Sequence, residues 1–117
     1  MLEVYGIRNC DSVKKALAWL DAHGVAYRFH DFKKEALSAA MLDGWLKAAG
    51  WEVLLNRKGT TWRGLPDKVK DTIDAASARA LMLENPSIIK RPVVVQGKAV
   101  HVGFDADAFR ARLLQGA

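Results

Sequence analysis

The one cysteine of this sequence, Cys10, stands where a short apolar segment ends and a helical pattern begins. The first turn of a helix presents unpaired N–H groups and a partial positive charge, which favour a thiolate over a thiol. The thiolate is the nucleophilic form of cysteine, and an ordinary thiol with a pKa of about 8.5 is mostly protonated at neutral pH. We therefore predict that Cys10 is a nucleophile whose alkylation midpoint lies below that of an ordinary thiol.

The alternative is that Cys10 is a small buried apolar side chain, as many lone cysteines are. Asp11 favours this alternative, because a carboxylate next to the sulfur raises the pKa of a thiol. The pH dependence of alkylation distinguishes the two interpretations.

A second candidate is Arg91, which precedes Pro92 and the apolar run that starts at Val93. Proline is tolerated at the start of a strand, and an X-Pro bond can be cis, which turns the preceding residue sharply. An arginine held there presents a rigid donor fork suited to a thiolate, a carboxylate or an oxyanion. The alternative is an exposed arginine before an edge strand.

The hydrophobic pattern places Cys10 inside a β-α-β unit. Residues 2–7 form an apolar run typical of a buried strand, and residues 13–20 carry one apolar stripe at helical spacing that ends near Gly24. Residues 25–32 alternate as a second strand. Because β-α-β crossovers are right-handed, these strands are predicted to be parallel.

A helical block and a β-β-α unit follow. Ser38 is predicted to cap a helix that closes at Gly50, residues 51–55 a short helix, residues 59–64 a loop, and residues 67–74 and 77–84 two helices. Residues 93–95 and 99–102 predict an antiparallel hairpin. Asp105 is expected to cap a last helix that turns Ala106, Phe109 and Leu113 inward.

Composition narrows the class of protein. With 117 residues, 50% of them hydrophobic, the chain can bury a core as a single domain over residues 1–117. One cysteine and three scattered histidines predict neither an internal disulfide nor a metal site. The net charge of +5 favours anionic partners, among which we place nucleic acid last. We expect a cytoplasmic protein without a membrane segment.

Four segments occur in an order that points to a family. They are YGIRNCDSVKKA at residues 5–16, LLNRKGT at 54–60, IIKRP at 88–92 and VGFD at 102–105. Together they resemble the ArsC/Spx/YffB-like arsenate reductase family, and the VGFD segment is most similar to its YffB-like branch. The resemblance implies an α/β, thioredoxin-like fold, β-α-β then β-β-α, with a helical insertion at about residues 36–85.

The resemblance also implies site residues. In arsenate reductases of this family a cysteine attacks arsenic, arginines bind the oxyanion, and glutathione with glutaredoxin regenerates the thiol. Cys10, Arg57 and Arg91 occupy three of those positions, and Pro92 that of a proline that is typically cis.

One thiol without a resolving partner needs an external thiol to clear its intermediate. We therefore predict a glutathione-dependent thiol/disulfide reductase with no bound cofactor and with glutathione as co-substrate. Its substrate would be a small molecule or a protein thiol, with glutaredoxin as a further partner. The residues expected to bind substrate or glutathione are Arg8, Asn9, Arg57, Arg91, Pro92 and Val93.

Their expected roles differ. Arg57 and Arg91 are expected to hold anionic groups, Pro92 and Val93 to pair with the glutathione backbone, and Arg8 and Asn9 to shape the turn before Cys10.

Two alternatives stay open. One is an arsenate reductase, although residues 101–104 lack the late arginine of that enzyme. The other is an Spx-like regulator that binds transcription machinery, although Val13 stands where Spx-like proteins carry the second cysteine of their Cys-x-x-Cys switch.

Overall fold

The computed structural model describes residues 1–114, which contain a four-stranded mixed sheet. Its strands are β1 (Leu2–Gly6), β2 (Tyr27–Asp31), β3 (Val93–Gln96) and β4 (Ala99–Val102). They lie in the order β2-β1-β3-β4, with β1 parallel to β2 and with β3 antiparallel to both β1 and β4. The predicted thioredoxin-like fold is confirmed.

Helix α1 (Asp11–Ala22) connects β1 to β2, and five helices fill the insertion between β2 and β3. These are α2 (Ala39–Ala49), α3 (Trp51–Leu54), α4 (Thr60–Arg63), α5 (Asp67–Asp71) and α6 (Ala75–Glu84). A 3₁₀ turn (Pro86–Ile88) precedes β3, and α7 (Ala106–Phe109) continues as a π-helical segment, Arg110–Leu114.

Capping side chains explain where several helices begin. Ser38 Oγ accepts the Met41 N–H at 3.1 Å, and Asp74 forms a capping box with Ser77. Asp105 Oδ1 accepts the Asp107 N–H at 2.9 Å. Because a cap satisfies donors that the helix leaves unpaired, these short polar residues predict helix starts well.

Two local predictions were wrong. The segment predicted as a loop contains α4, because one helical turn carries the Trp62 side chain into the core, where it is 9% exposed. Of the three residues expected to face inward from the last helix, Ala106 is exposed, whereas Phe109 is buried and Leu113 packs against the same core.

The two faces of the sheet carry separate cores. On the insertion side, the buried side chains include Leu42, Trp45, Leu54, Met82, Ile89 and Val93. On the side of α1 and α7, they are Leu2, Val4, Ala16, Leu20, Val94 and Phe109. Val93 and Val94 enter opposite cores because successive strand residues point to opposite faces.

Hydrogen bonds fasten the insertion to the segment that leads into β3. Leu55 and Ile89 form an isolated antiparallel bridge. The Asn56 N–H donates to the Ile88 carbonyl at 2.9 Å, and the Lys90 N–H donates to the Leu54 carbonyl at 2.7 Å. The end of α3 therefore fixes the backbone immediately before Arg91.

His30 ties β1, β2 and the loop after β2 together. Its Nε2 lies 2.7 Å from Glu3 Oε1 and its Nδ1 lies 3.0 Å from Glu35 Oε1, while the ring stacks on Tyr5. An ionised carboxylate only accepts hydrogen bonds, so both ring nitrogens donate and the imidazole is protonated. Burial alone would lower the pKa of His30, but Glu35 and Glu3 outweigh it and raise the pKa.

This arrangement predicts a pH-dependent contribution to stability. A histidine with a raised pKa in the folded state stabilises the fold below the pKa of the unfolded chain, and that stabilisation is lost as the pH rises through the folded pKa. We expect His30→Gln to lower the free energy of unfolding by about 1 kcal/mol near pH 5.5 and by much less near pH 9.

Urea unfolding of His30→Gln at the two pH values measures this difference. Glu35→Gln, which removes one of the two negative charges beside His30, should show a smaller loss with the same pH trend. Equal losses of stability at both pH values would contradict the assignment of a protonated His30.

Candidate active site

Cys10 is the N-cap residue of α1 and has an extended backbone, with φ −99° and ψ 130°. A tight turn delivers it there, since the Cys10 N–H donates to the Ile7 carbonyl at 3.1 Å. The Cys10 carbonyl then accepts the Lys14 N–H at 2.9 Å, which starts the helix. The free thiol is half-buried at the end of α1 where N–H groups are unpaired.

The surroundings of Cys10 favour the thiolate. Partial burial is the largest influence on the pKa of Cys10 and would raise it. The backbone N–H groups of Val13 and Ser12, together with the guanidinium of Arg91, outweigh burial and lower the pKa. The pKa shift has the predicted direction.

Arg91 is held from both ends. The Arg91–Pro92 peptide bond is cis, as the resemblance implied, and Arg91 Nη1 donates to the Ser87 carbonyl at 2.6 Å. Arg91 Nε is buried and has no hydrogen-bond partner among residues 1–114. A buried donor without an acceptor is costly, so this nitrogen is suited to an anion bound beside Cys10.

Gly6 allows the elements of the site to meet. A Cβ added to Gly6 would lie 2.7 Å from Val13 Cγ2 and 3.8 Å from Arg91 Cβ. The end of β1 therefore lies directly against the first turn of α1 and near the stem of Arg91. Gly6 is not among the predicted site residues, although a glycine inside a strand pattern is a known signal of close backbone approach.

The structure does not bring Arg57 to the sulfur. Its guanidinium lies over two rings, 5.6 Å from the centroid of Trp51 and 5.4 Å from that of Trp62. The cation whose charge lowers the pKa of Cys10 is Arg91. Binding of an anionic group by Arg57 stays a prediction.

Arg8 and Asn9 lie in the turn that precedes Cys10. The Arg8 guanidinium lies 4.7 Å from the centroid of the Phe29 ring on β2, and Asn9 is exposed in the turn. Asp11 is exposed and is not among the groups that shift the pKa of Cys10. The increase in the pKa of Cys10 that Asp11 was expected to cause therefore has no counterpart in the structure.

The predicted backbone pairing at Pro92 and Val93 needs correction. The Pro92 carbonyl already accepts the Gly103 N–H at 2.8 Å, and Val93 pairs with Tyr5 on one side and Val102 on the other. These groups are used by the sheet because β3 is a central strand. Arg91, one residue earlier, has no backbone hydrogen-bond partner within residues 1–114.

Within residues 1–114, no cluster of three or more His, Cys, Asp and Glu side chains is arranged to hold a metal ion. In the same residues, no helix combines the length and the apolar character needed to cross a membrane.

Comparison with known proteins shows what the chain is similar to. The model of the ArsC family matches residues 5–112. A solved YFFB protein is 47% identical, with a TM-score of 0.91 over 97% of this chain and 99% of that one. An arsenate reductase (ArsC) related protein from Brucella melitensis is 52% identical, with a TM-score of 0.80 over 96% and 93%. The global transcriptional regulator Spx from Streptococcus agalactiae is 30% identical over 115 residues, which are 97% of this chain and 83% of Spx.

Proposed function

Because the chain belongs to the ArsC family, we propose that it is a glutathione-dependent thiol/disulfide reductase in which Cys10 is the nucleophile. The observation that supports this most is the sulfur at the start of α1, whose pKa is lowered by backbone N–H groups and by Arg91. A thiolate in this position is the form that attacks a disulfide.

The proposed reaction uses one thiol twice. The Cys10 thiolate attacks the glutathione sulfur of a mixed disulfide, which forms a Cys10–glutathione disulfide and releases the substrate as a thiolate that takes up a proton from water. A second glutathione thiolate then attacks the glutathione sulfur on Cys10. This step forms oxidised glutathione and returns Cys10 as a thiolate. For each mixed disulfide reduced, one glutathione thiol is consumed, one substrate thiol is released and one molecule of oxidised glutathione is formed.

Arg91 would serve this reaction in two ways. Its guanidinium, anchored on the Ser87 carbonyl, stabilises the Cys10 thiolate both before attack and as the leaving group. Its N–H and carbonyl, which have no backbone partner within residues 1–114, offer the end of β3 to an extended peptide. The backbone pairing predicted for Pro92 and Val93 is thus assigned to Arg91.

A transcription-regulating role is the second candidate, favoured by the 30% identity to Spx over 115 residues. In that case binding to RNA polymerase, rather than disulfide turnover, would be the function that survives replacement of Cys10. Arsenate is an alternative substrate of the same site, with the likeness to the ArsC-related protein of Brucella melitensis as its support.

Reaction with oxidised glutathione tests the proposed reductase. At about pH 6 the native chain should gain one glutathione on Cys10, at least about tenfold faster than the same chain unfolded in urea, because an ordinary thiol is almost entirely protonated there. Mass spectrometry of timed samples measures both rates, and Cys10→Ser should gain no glutathione. A native chain that reacts no faster than the unfolded one would refute the proposed nucleophile.

A further inference from the structure

A second basic site lies at the carboxyl end of β4. A cavity of about 230 Å³ opens there between β4, α7 and the segment before β3. Its wall includes the basic side chains of Lys90, His101 and Arg112, next to Gly103 and Asp105. None of these side chains is used by the reaction proposed above.

His101 positions Arg112 without cancelling its charge. Arg112 Nη1 lies 2.9 Å from His101 Nδ1. Because a guanidinium only donates hydrogen bonds, Nδ1 is the acceptor and the imidazole is neutral. Burial and the charge of Arg112 both lower the pKa of His101, which agrees with a neutral ring. The guanidinium is thus fixed in place and keeps its full positive charge.

Lys90 supplies the second charge. A Cβ at Gly103, where φ is +85°, would lie 3.2 Å from Lys90 Cε and 3.7 Å from Lys90 Nζ, so the lysine side chain lies directly across this glycine. Among residues 1–114, no carboxylate lies within 4.0 Å of the charged atoms of Lys90 or Arg112. Asp105 uses its Oδ1 to cap α7. The cavity therefore presents two cations that lack an ion-pair partner.

The cavity and the thiol share one stretch of backbone. Lys90 borders the cavity, Arg91 acts on Cys10, and the Pro92 carbonyl accepts the Gly103 N–H at 2.8 Å. Lys90 and Arg91 are adjacent in the chain, and successive Cα atoms lie about 3.8 Å apart. The cavity therefore borders the backbone that carries the residue acting on Cys10.

We propose that Lys90 and Arg112 bind a carboxylate of the thiol co-substrate, with His101 as the residue that positions Arg112. The cavity then selects an acidic peptide thiol over neutral thiols. This inference rests on the proposed function and adds to it the residues that choose the co-substrate.

The test compares an anionic with a neutral disulfide. Rates of mixed-disulfide formation on Cys10 are measured with oxidised glutathione and with hydroxyethyl disulfide. In Lys90→Gln and in Arg112→Gln, the ratio of the glutathione rate to the hydroxyethyl rate should fall about tenfold. Arg110→Gln is the matched control, since Arg110 lies on the same π-helical segment but near His23, and it removes the same charge. If Arg112→Gln and Lys90→Gln change the ratio no more than Arg110→Gln does, the carboxylate site is refuted.

A binding measurement separates this inference from the reductase itself. S-methylglutathione has no reactive thiol, and its binding to the Cys10→Ser chain is followed through the NMR signals of the His101 ring. We expect binding that weakens about tenfold in Arg112→Gln and in the diethyl ester of the ligand. Binding without any reaction at Cys10 in the native chain would refute the reductase and keep the site, whereas reaction with oxidised glutathione but equal binding of acid and ester would refute the site alone.

Discussion

Replacing Arg91 by methionine is expected to slow the reaction of Cys10 with disulfides at pH 7 by at least about tenfold. Methionine fills a similar volume but removes the charge that lowers the pKa of the thiol, while burial, which raises it, remains. The thiolate fraction therefore falls at neutral pH. Alkylation with iodoacetamide, a neutral reagent, measured across pH should show a midpoint shifted toward that of an ordinary thiol.

Arg28→Met provides the matched control for this experiment. It removes one guanidinium from β2, where the Arg28 side chain is 65% exposed, and should leave the midpoint in place. Arg57→Met is the informative third variant, because Arg57 lies on Trp51 and Trp62 rather than at the thiol. A midpoint that moves more with Arg57 than with Arg91 would overturn the electrostatic assignment of the site.

Gly6→Ala is expected to lower the free energy of unfolding by about 1 to 3 kcal/mol. The added methyl group would lie 2.7 Å from Val13 Cγ2, and Val13 is fully buried and β-branched, so it cannot turn away without a cost. The same displacement would move the first turn of α1 away from Arg91, so Cys10 should also react more slowly. Urea unfolding and the alkylation rate measure the two effects.

Gly44→Ala is a control in which the same substitution is expected to raise the free energy of unfolding. Gly44 is exposed within α2 and has no atom within 4 Å of an added Cβ, so alanine should stabilise the chain by about 0.5 to 1 kcal/mol. Truncation of Val13, the side chain that the added methyl group would meet, provides the second check. In a chain that already carries Val13→Ala, Gly6→Ala should lower the free energy of unfolding by less than it does alone. Independent, additive losses would show that the two side chains do not compete for the same space.

The order of elements could be predicted because it depends on local patterns. The change from an apolar run to helical spacing located Cys10 at the start of α1, and Ser38 and Asp105 marked helix starts by capping. The alternating segments gave strands that pair in the expected directions. Each of these signals comes from the periodicity or the donors of neighbouring residues.

The directions of long side chains could not be predicted in this way. Arg57 and Arg91 carry the same charge, yet one stacks on two tryptophans and the other is anchored on Ser87 beside the thiol. The difference depends on how α3 and α4 pack, which periodicity does not encode. His30 is a similar case, since its partner Glu3 lies 27 positions away along the chain.

Because Leu55 and Ile89 form a bridge, the reactivity of Cys10 depends on the insertion as well as on the β-α-β unit that contains the cysteine. The β-α-β half carries the sulfur, and the Arg91 guanidinium lowers its pKa. The backbone that orients Arg91 is hydrogen-bonded to the insertion, which packs on the other side of the sheet. A chimera that replaced the insertion with a short linker would retain the cysteine and lose the fixed orientation of Arg91. Sequence drift within these helices would accordingly tune the acidity of the thiol without altering any residue that touches it.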